Sequence, residues 1–186
     1  EIPEASKVAA GRVIQNIINL PQDDRVKAYI PIQDLNDEEF IKNNYIMFCT
    51  RQGTIKKTLV QDFSRPRSNG INAITIHEGD MLLEARLTNG NNEIIIANRK
   101  GRAIRFNESK VRSMGRNAAG VRGMTLVGPN DGVVGMVCVD PNDMLVTIFV
   151  VSEGGNGKRT ALEDYRVTNR GGKGVKTMKI TEKTGD

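Results

Sequence analysis

The chain has no tryptophan, and aromatic residues make up only 4% of its 186 positions. That scarcity leaves no row of rings on which single-stranded bases could stack, and no Trp mark of the kind that identifies some propeller blades. An aliphatic core is expected. No stretch approaches the ~20 continuous apolar residues of a membrane-spanning helix, and Glu1-Ile2-Pro3-Glu4 lacks the charged-then-apolar pattern of a secretory leader. A cytoplasmic protein without a membrane partner is expected. Only two cysteines occur, in Met47-Phe48-Cys49 and Met136-Val137-Cys138-Val139. They form neither zinc spacing nor a disulfide framework, and a reduced thiol in such a run behaves as a small hydrophobe.

Catalytic equipment is equally sparse. His77 is the single histidine, and no nucleophilic Ser or Cys sits in a recognisable elbow around it. The carboxylate pairs Asp23-Asp24 and Glu38-Glu39 lie in turn-like surface sequence. The glycine-rich run Gly154-Gly155-Asn156-Gly157-Lys158-Arg159-Thr160 is not a phosphate-binding P-loop: Ser152 stands where a glycine is required, Arg159 where Ser or Thr is required, and β-like sequence follows instead of a helix. No active site, metal or cofactor is expected in this segment.

What the chain does have is repetition. Ala9-Ala10-Gly11-Arg12-Val13, Asn69-Gly70-Ile71, Ala118-Ala119-Gly120-Val121 and Gly172-Lys173-Gly174-Val175 each run into an alternating apolar segment, their key glycines 59, 50 and 54 residues apart. A second phrase, glycine then basic residues, recurs at Gly53, Gly101 and Gly155, spaced 48 and 54 residues. Periods of this size with several strands each imply propeller-like blades that cannot bury their faces alone. Strands are expected at 13–20, 25–32, 45–51, 73–76, 82–87, 93–97, 124–127, 133–139, 144–151 and 175–180, separated by turn sequence such as Asn89-Gly90-Asn91-Asn92. No segment carries a sustained helical stripe, and the acidic run Asp34 to Glu39 reads as an outer surface loop. The single all-β domain 1–186 divides into units 1–63, 64–112, 113–166 and an incomplete 167–186, and an array stopping in mid-unit reads as a fragment of a longer polypeptide.

Charge follows the same register. The net charge is +5, but stretches 56–67, 99–122 and 158–176 hold 18 of the 27 Lys and Arg residues and four of the 22 acids. Those stretches sum to +14 and the remainder to −9. Repetition places equivalent positions on equivalent parts of successive blades, so a basic track is expected. Its candidates are Lys56 and Lys57, Arg102 and Arg105, and Lys158 and Arg159 after the glycine turns. The following connections add Arg65 and Arg67, then Arg112 and Arg116, then Arg166, Arg170 and Lys173. Arg and Lys without interleaved aromatics suit phosphates of duplex DNA, and neighbouring glycines can present backbone N–H groups to the same anion. A solvated face is the plain alternative for one cluster; three registered copies argue against it.

The residues Gly53-Thr54-Ile55-Lys56-Lys57-Thr58, Phe63-Ser64-Arg65, Lys110-Val111-Arg112-Ser113-Met114-Gly115-Arg116, Gly120-Val121-Arg122-Gly123 and Gly157-Lys158-Arg159-Thr160 closely resemble the C-terminal domain of DNA gyrase A. The resemblance implies a six-bladed β-pinwheel whose blades exchange strands and whose basic rim bends and wraps duplex DNA. About three and a half four-stranded blades would be present here. It also implies a parent enzyme that supercoils DNA using ATP and Mg2+ bound elsewhere. Its partners would be the cleavage domain of the same polypeptide and the gyrase B protein, in an A2B2 assembly associated with the bacterial chromosome. The family's hallmark box, Gln-Arg-Arg-Gly-Gly-Lys-Gly, has a degenerate copy in Thr168-Asn169-Arg170-Gly171-Gly172-Lys173-Gly174, which keeps the last five residues. The resemblance places the intact box before Glu1. Two alternatives stay open: the related C-terminal domain of topoisomerase IV, and, from another class, a kelch-like protein-interaction propeller supported by the spacing and the double glycines.

Overall fold

The computed structural model describes residues 4–18, 20–21, 23–143 and 145–185. Ten strands follow one another: β1 (Tyr45–Thr50), β2 (Thr54–Leu59), β3 (Leu82–Thr88), β4 (Glu93–Asn98), β5 (Arg102–Asn107), β6 (Val121–Arg122), β7 (Val133–Val139), β8 (Thr147–Val151), β9 (Gly157–Ala161) and β10 (Val175–Lys176). Three antiparallel hairpins, β1–β2, β4–β5 and β8–β9, share one register, with Met47 opposite Lys57, Ile95 opposite Arg105 and Phe149 opposite Arg159. The turn glycine makes the tight reversal possible. Gly53 and Gly101 have φ of 86° and 70°, and a Cβ on Gly53 would lie 2.8 Å from the Met124 carbonyl oxygen.

The first sheet has the order β3-β1-β2-β6, and the second repeats it as β7-β4-β5-β10. Even the irregularities recur, with a register shift at Cys49/Thr50 and another at Ala97/Asn98. β8 and β9 form a two-stranded third sheet. Strands are exchanged between repeats: β3 runs through the turn at 89–92 into β4, yet pairs with β1, while β6 follows β5 and pairs with β2. The first sheet thus draws on three of the sequence units. After each hairpin a 3-10 turn closes back on the residue preceding it, with Val60, Glu108 and Leu162 donating their N–H groups to the carbonyls of Asn44, Asn92 and Val146.

The uninterrupted apolar runs of β1 and β4 arise because both faces of these strands are buried. Met47 and Cys49 join Ile55, Ile94, Ile96, Ile104, Phe106 and Met136 between the first two sheets. Ile46 and Phe48 face the other way, with Ile41, Val60 and Ala85. Ile95 packs with Leu162 and Tyr165 of the following repeat. Both cysteines are free, and burial pushes each thiol up to about 12.

Several expected elements differ. The acidic run leads into a helix, α1 (Glu38–Asn43), rather than remaining a loop: Asp37 caps it by accepting the Phe40 N–H at 3.0 Å, Lys42 pairs with Glu38 at 2.6 Å, and Ile41 is buried. Six residues are too few to show as a helical stripe. At 13–20, where Asn19 lies outside the described residues, a 3-10 turn at Ile14–Asn16 replaces the expected strand. Segments 25–32, 73–76 and 124–127 form no strand, because none finds a ladder partner among the described residues. The backbone N–H groups of Thr75 and Thr125 donate to the carbonyls of Ala118 and Gly172, isolated bonds that start no ladder. The final expected strand shortens to β10, and β8 begins at Thr147, three residues beyond Met144, which lies outside the described residues.

Candidate nucleic-acid interface

The basic column at the start of β2, β5 and β9 has the expected register, but its first two members point inward. Lys56 is completely buried, and its ammonium donates to the carbonyls of Ala73 and Arg116, both at 2.6 Å. Desolvation holds its pKa below the ordinary lysine value; nearby Asp62 opposes that effect and Arg116 adds to it. Lys57, 7% exposed, donates to the Glu108 carbonyl at 3.2 Å, stands 3.6 Å from the Glu108 carboxylate and lies over the Tyr45 ring at 4.8 Å. Glu108 is itself fully buried and also accepts from Thr88 and the Asn92 N–H. Arg105 pairs with Glu93 and donates to the carbonyls of Leu162 and Tyr165. These three cations tie one repeat to the next, and protein acceptors occupy their donors.

Other candidates brace the backbone with part of the guanidinium and remain half-exposed. Arg102 donates to the carbonyls of Lys173 at 3.0 Å and Gly174 at 2.7 Å. Arg170 donates to the carbonyls of Lys110 at 2.9 Å and Arg122 at 3.0 Å, and Arg116, in the equivalent position one repeat earlier, to the carbonyl of Asn72 at 3.4 Å. Within the degenerate box the Gly171 N–H is already given to the Gly123 carbonyl, and the carbonyls of Gly171 and Gly172 accept from Thr125. Arg170 and Gly171 therefore fasten the box loop to the strand β6 region, while Gly172 and Lys173 stay exposed and Gly174 is half-buried.

The exposed cations fall into two groups along the connections. Arg65 and Arg67 flank a polar cleft with Arg116, Asn69, Asn72 and Asn117, in which Asp62 is the only lining acid among the described residues. The second group gathers Lys110, Arg112 and Arg122 near Arg170, and Lys173 with Lys176 near Arg102. Arg122 and Lys176 were not among the candidates. Their signal was present: each follows the Gly-Val phrase by one residue, so strand alternation turns it outward while the valine faces in. Lys158 and Arg159 are exposed on β9. Among the described residues, no group of three or more His, Cys, Asp and Glu could hold a metal, and no helix is long and apolar enough to cross a membrane.

A family model described as DNA gyrase C-terminal domain, beta-propeller, matches residues 44–89, 92–140 and 147–186, one match beginning at each hairpin. Along its whole length the chain is 42% identical to the DNA gyrase A protein of Staphylococcus epidermidis and 41% identical to that of Staphylococcus aureus. It spans 20% of the length of these relatives. Among solved structures, the C-terminal domain of DNA topoisomerase IV superposes with a TM-score of 0.81 at 30% identity, covering 92% of this chain and 51% of that one. The DNA gyrase A C-terminal domain superposes with a TM-score of 0.78 at 27% identity, covering 94% and 55%. Three successive hairpins, their exchanged strands and the matched segments agree: the chain belongs to the DNA gyrase C-terminal β-propeller family.

Proposed function

We propose that this chain is a non-catalytic module that binds duplex DNA through its phosphates and contributes wrapping to an ATP-dependent type II topoisomerase. The observation that carries the reading is the exposed basic surface of the connections and the short strands β6 and β10: Arg65, Arg67, Lys110, Arg112, Arg122, Lys173 and Lys176, with Arg116 and Arg170 held in place between them. Bending 20 to 30 base pairs by 40 to 90 degrees costs on the order of 1 to 6 kcal/mol, which many phosphate contacts along a curved surface can offset. Gyrase is the favoured parent because the whole of this chain aligns with a DNA gyrase A protein at 42% identity. Topoisomerase IV is the second reading, favoured by the 0.81 TM-score of its C-terminal domain. In either parent, DNA cleavage and the use of ATP and Mg2+ belong to other parts of the enzyme, and the partners are the cleavage domain and the enzyme's second polypeptide.

Titrating the chain against two unrelated duplexes at several salt concentrations tests the proposal. Counterion release gives log affinity falling against log salt with a slope of about −0.9 per phosphate neutralised, nearly independent of sequence. A flat salt response, or a strong preference for one duplex, overturns it.

A further inference from the structure

Lys56 is a buried cation without a paired anion. The residue is 0% exposed, its ammonium donates to the carbonyls of Ala73 and Arg116, and it makes no ion pair among the described residues. A charge taken out of water is costly unless an opposite charge stands beside it, and carbonyl dipoles offset only part of that cost. Two charges act on this ammonium: Asp62 favours it, and Arg116 opposes it.

Both of those residues line the polar cleft between the 61–72 connection and the 115–117 turn. The cleft has two lobes, of about 490 and 460 Å3, which share Arg67, Ile71 and Arg116. Arg65 and Arg67 are exposed and make no side-chain hydrogen bond or ion pair among the described residues, and the carboxamides of Asn69, Asn72 and Asn117 are likewise uncommitted. Its walls are tied together without a ligand: the Gly70 N–H donates to the Arg67 carbonyl at 2.9 Å, and the Thr75 hydroxyl donates to the Asn117 carbonyl at 2.7 Å. With Lys56 beneath, cations outnumber the single acid, Asp62, around a recess that is already formed.

The other repeats differ at the floor. One repeat later Ile104 stands at the position of Lys56, and the Gly123 carbonyl, which corresponds to that of Ala73, accepts the Gly171 N–H at 2.6 Å instead. Two repeats later Lys158 is exposed. A surface that follows an evenly charged duplex gives no reason to bury an ammonium under one repeat alone, whereas a ligand confined to one cleft does.

We infer that the cleft over Lys56 is a binding site for a small free oligophosphate, with phosphoryl groups in the two lobes, Arg67 between them and Lys56 supplying charge from beneath. Guanidinium forks match phosphoryl oxygens two at a time, and the carboxamides add neutral donors around them. Arg67 also belongs to the exposed basic surface, so a bound oligophosphate takes one cation away from any duplex held there. The site is thus a point at which free oligophosphate lowers duplex affinity. Its occupancy needs only the cleft and stands apart from the DNA reading.

The probe is inorganic tripolyphosphate, titrated calorimetrically into the full-length protein, with hydrogen exchange followed across 67–72 and 115–118 and duplex affinity measured separately. Saturable binding that protects both segments is expected. Arg67→Gln, on an exposed connection, weakens it by about tenfold or more, and so does Lys56→Met, although Lys56 does not line the cleft. Lys176→Gln, one repeat away on the exposed basic surface, lowers duplex affinity and leaves tripolyphosphate binding unchanged. If Lys56→Met fails to fold, the contrast between Arg67→Gln and Lys176→Gln still decides. Equal losses from those two variants, or no protection at 67–72, overturn the inference and leave only general attraction. Tripolyphosphate binding by a protein that ignores duplex sinks the DNA reading alone; duplex binding that depends on Arg67, with no tripolyphosphate bound, sinks this one.

Discussion

Glu93 and Arg105 form a diagonal pair across β4 and β5: Arg105 lies opposite Ile95, two residues along the same face from Glu93, and the paired side chains are only 10% and 12% exposed. In the preceding hairpin the same diagonal joins Tyr45 and Lys57 by a cation–π contact. Two chemistries thus solve one geometric problem, how to bring a cation through the sheet to the next repeat.

Removing one partner of the ion pair leaves an uncompensated buried charge. Glu93→Gln and Arg105→Met are each expected to cost about 3–5 kcal/mol in urea unfolding. The double substitution Glu93→Tyr with Arg105→Lys imports the first hairpin's solution and is expected to recover part of that loss. Two small, additive losses would show that the pair is not coupled.

Lys56→Ile, which places the residue of the equivalent position 104 at 56, is expected to cost about 1–3 kcal/mol because two half-buried carbonyls lose their charged donor. The cost should depend on pH. Lys56 has its folded pKa lowered from 10.5, so between the lowered value and 10.5 the unfolded chain binds more protons and the wild type gains stability as pH rises. The gap between wild type and variant therefore widens from neutral toward alkaline pH. A constant gap in urea titrations at the two pH values refutes the desolvation argument.

Both thiols should resist alkylation in the folded protein. With Cys49 and Cys138 raised to about 12, little thiolate forms at pH 8, and burial also blocks access to Cys49, while Cys138 is half-buried. Iodoacetamide labelling followed by mass spectrometry is expected to modify neither cysteine until denaturant is added. Rapid labelling of Cys49 under native conditions would mean that β1 opens readily.

On the exposed surface the expected pattern is different. Neutralising Arg67 or Arg112 should lower duplex affinity and reduce the magnitude of the salt slope by about 0.9 each, leaving the melting temperature unchanged. Lys27 and Lys42, exposed residues outside the basic stretches, serve as controls whose substitution does little. Equal losses from both sets would indicate only general attraction.

Much of the fold was legible because repetition writes the same signal several times. The spacing of Gly53, Gly101 and Gly155 gave the hairpin register that aligns Lys57, Arg105 and Arg159. Direction was not legible. A cation beside a glycine turn looks identical in sequence whether it faces solvent or a neighbour's carbonyls, and only the exchanged strands decide which. The acids that receive two of the column cations, Glu93 and Glu108, carry no local mark of burial. Segment 25–32 shows the alternation of a strand, but alternation records which side chains face inward, and a strand also needs a neighbouring backbone to bond.

The turn at 89–92 joins β3 to β4 while those strands belong to different sheets, so the covalent order and the spatial order are out of step. A protease cutting there would separate the chain into two pieces that still hold each other. β1, β2 and β3 would stay with the first piece, and β6, on the second, would keep its ladder to β2 beside the Lys57–Ser113 bridge. The repeats are fastened like links rather than threaded like beads, and a nicked molecule retains its shape for the same reason that an intact one cannot melt a single unit without disturbing the next.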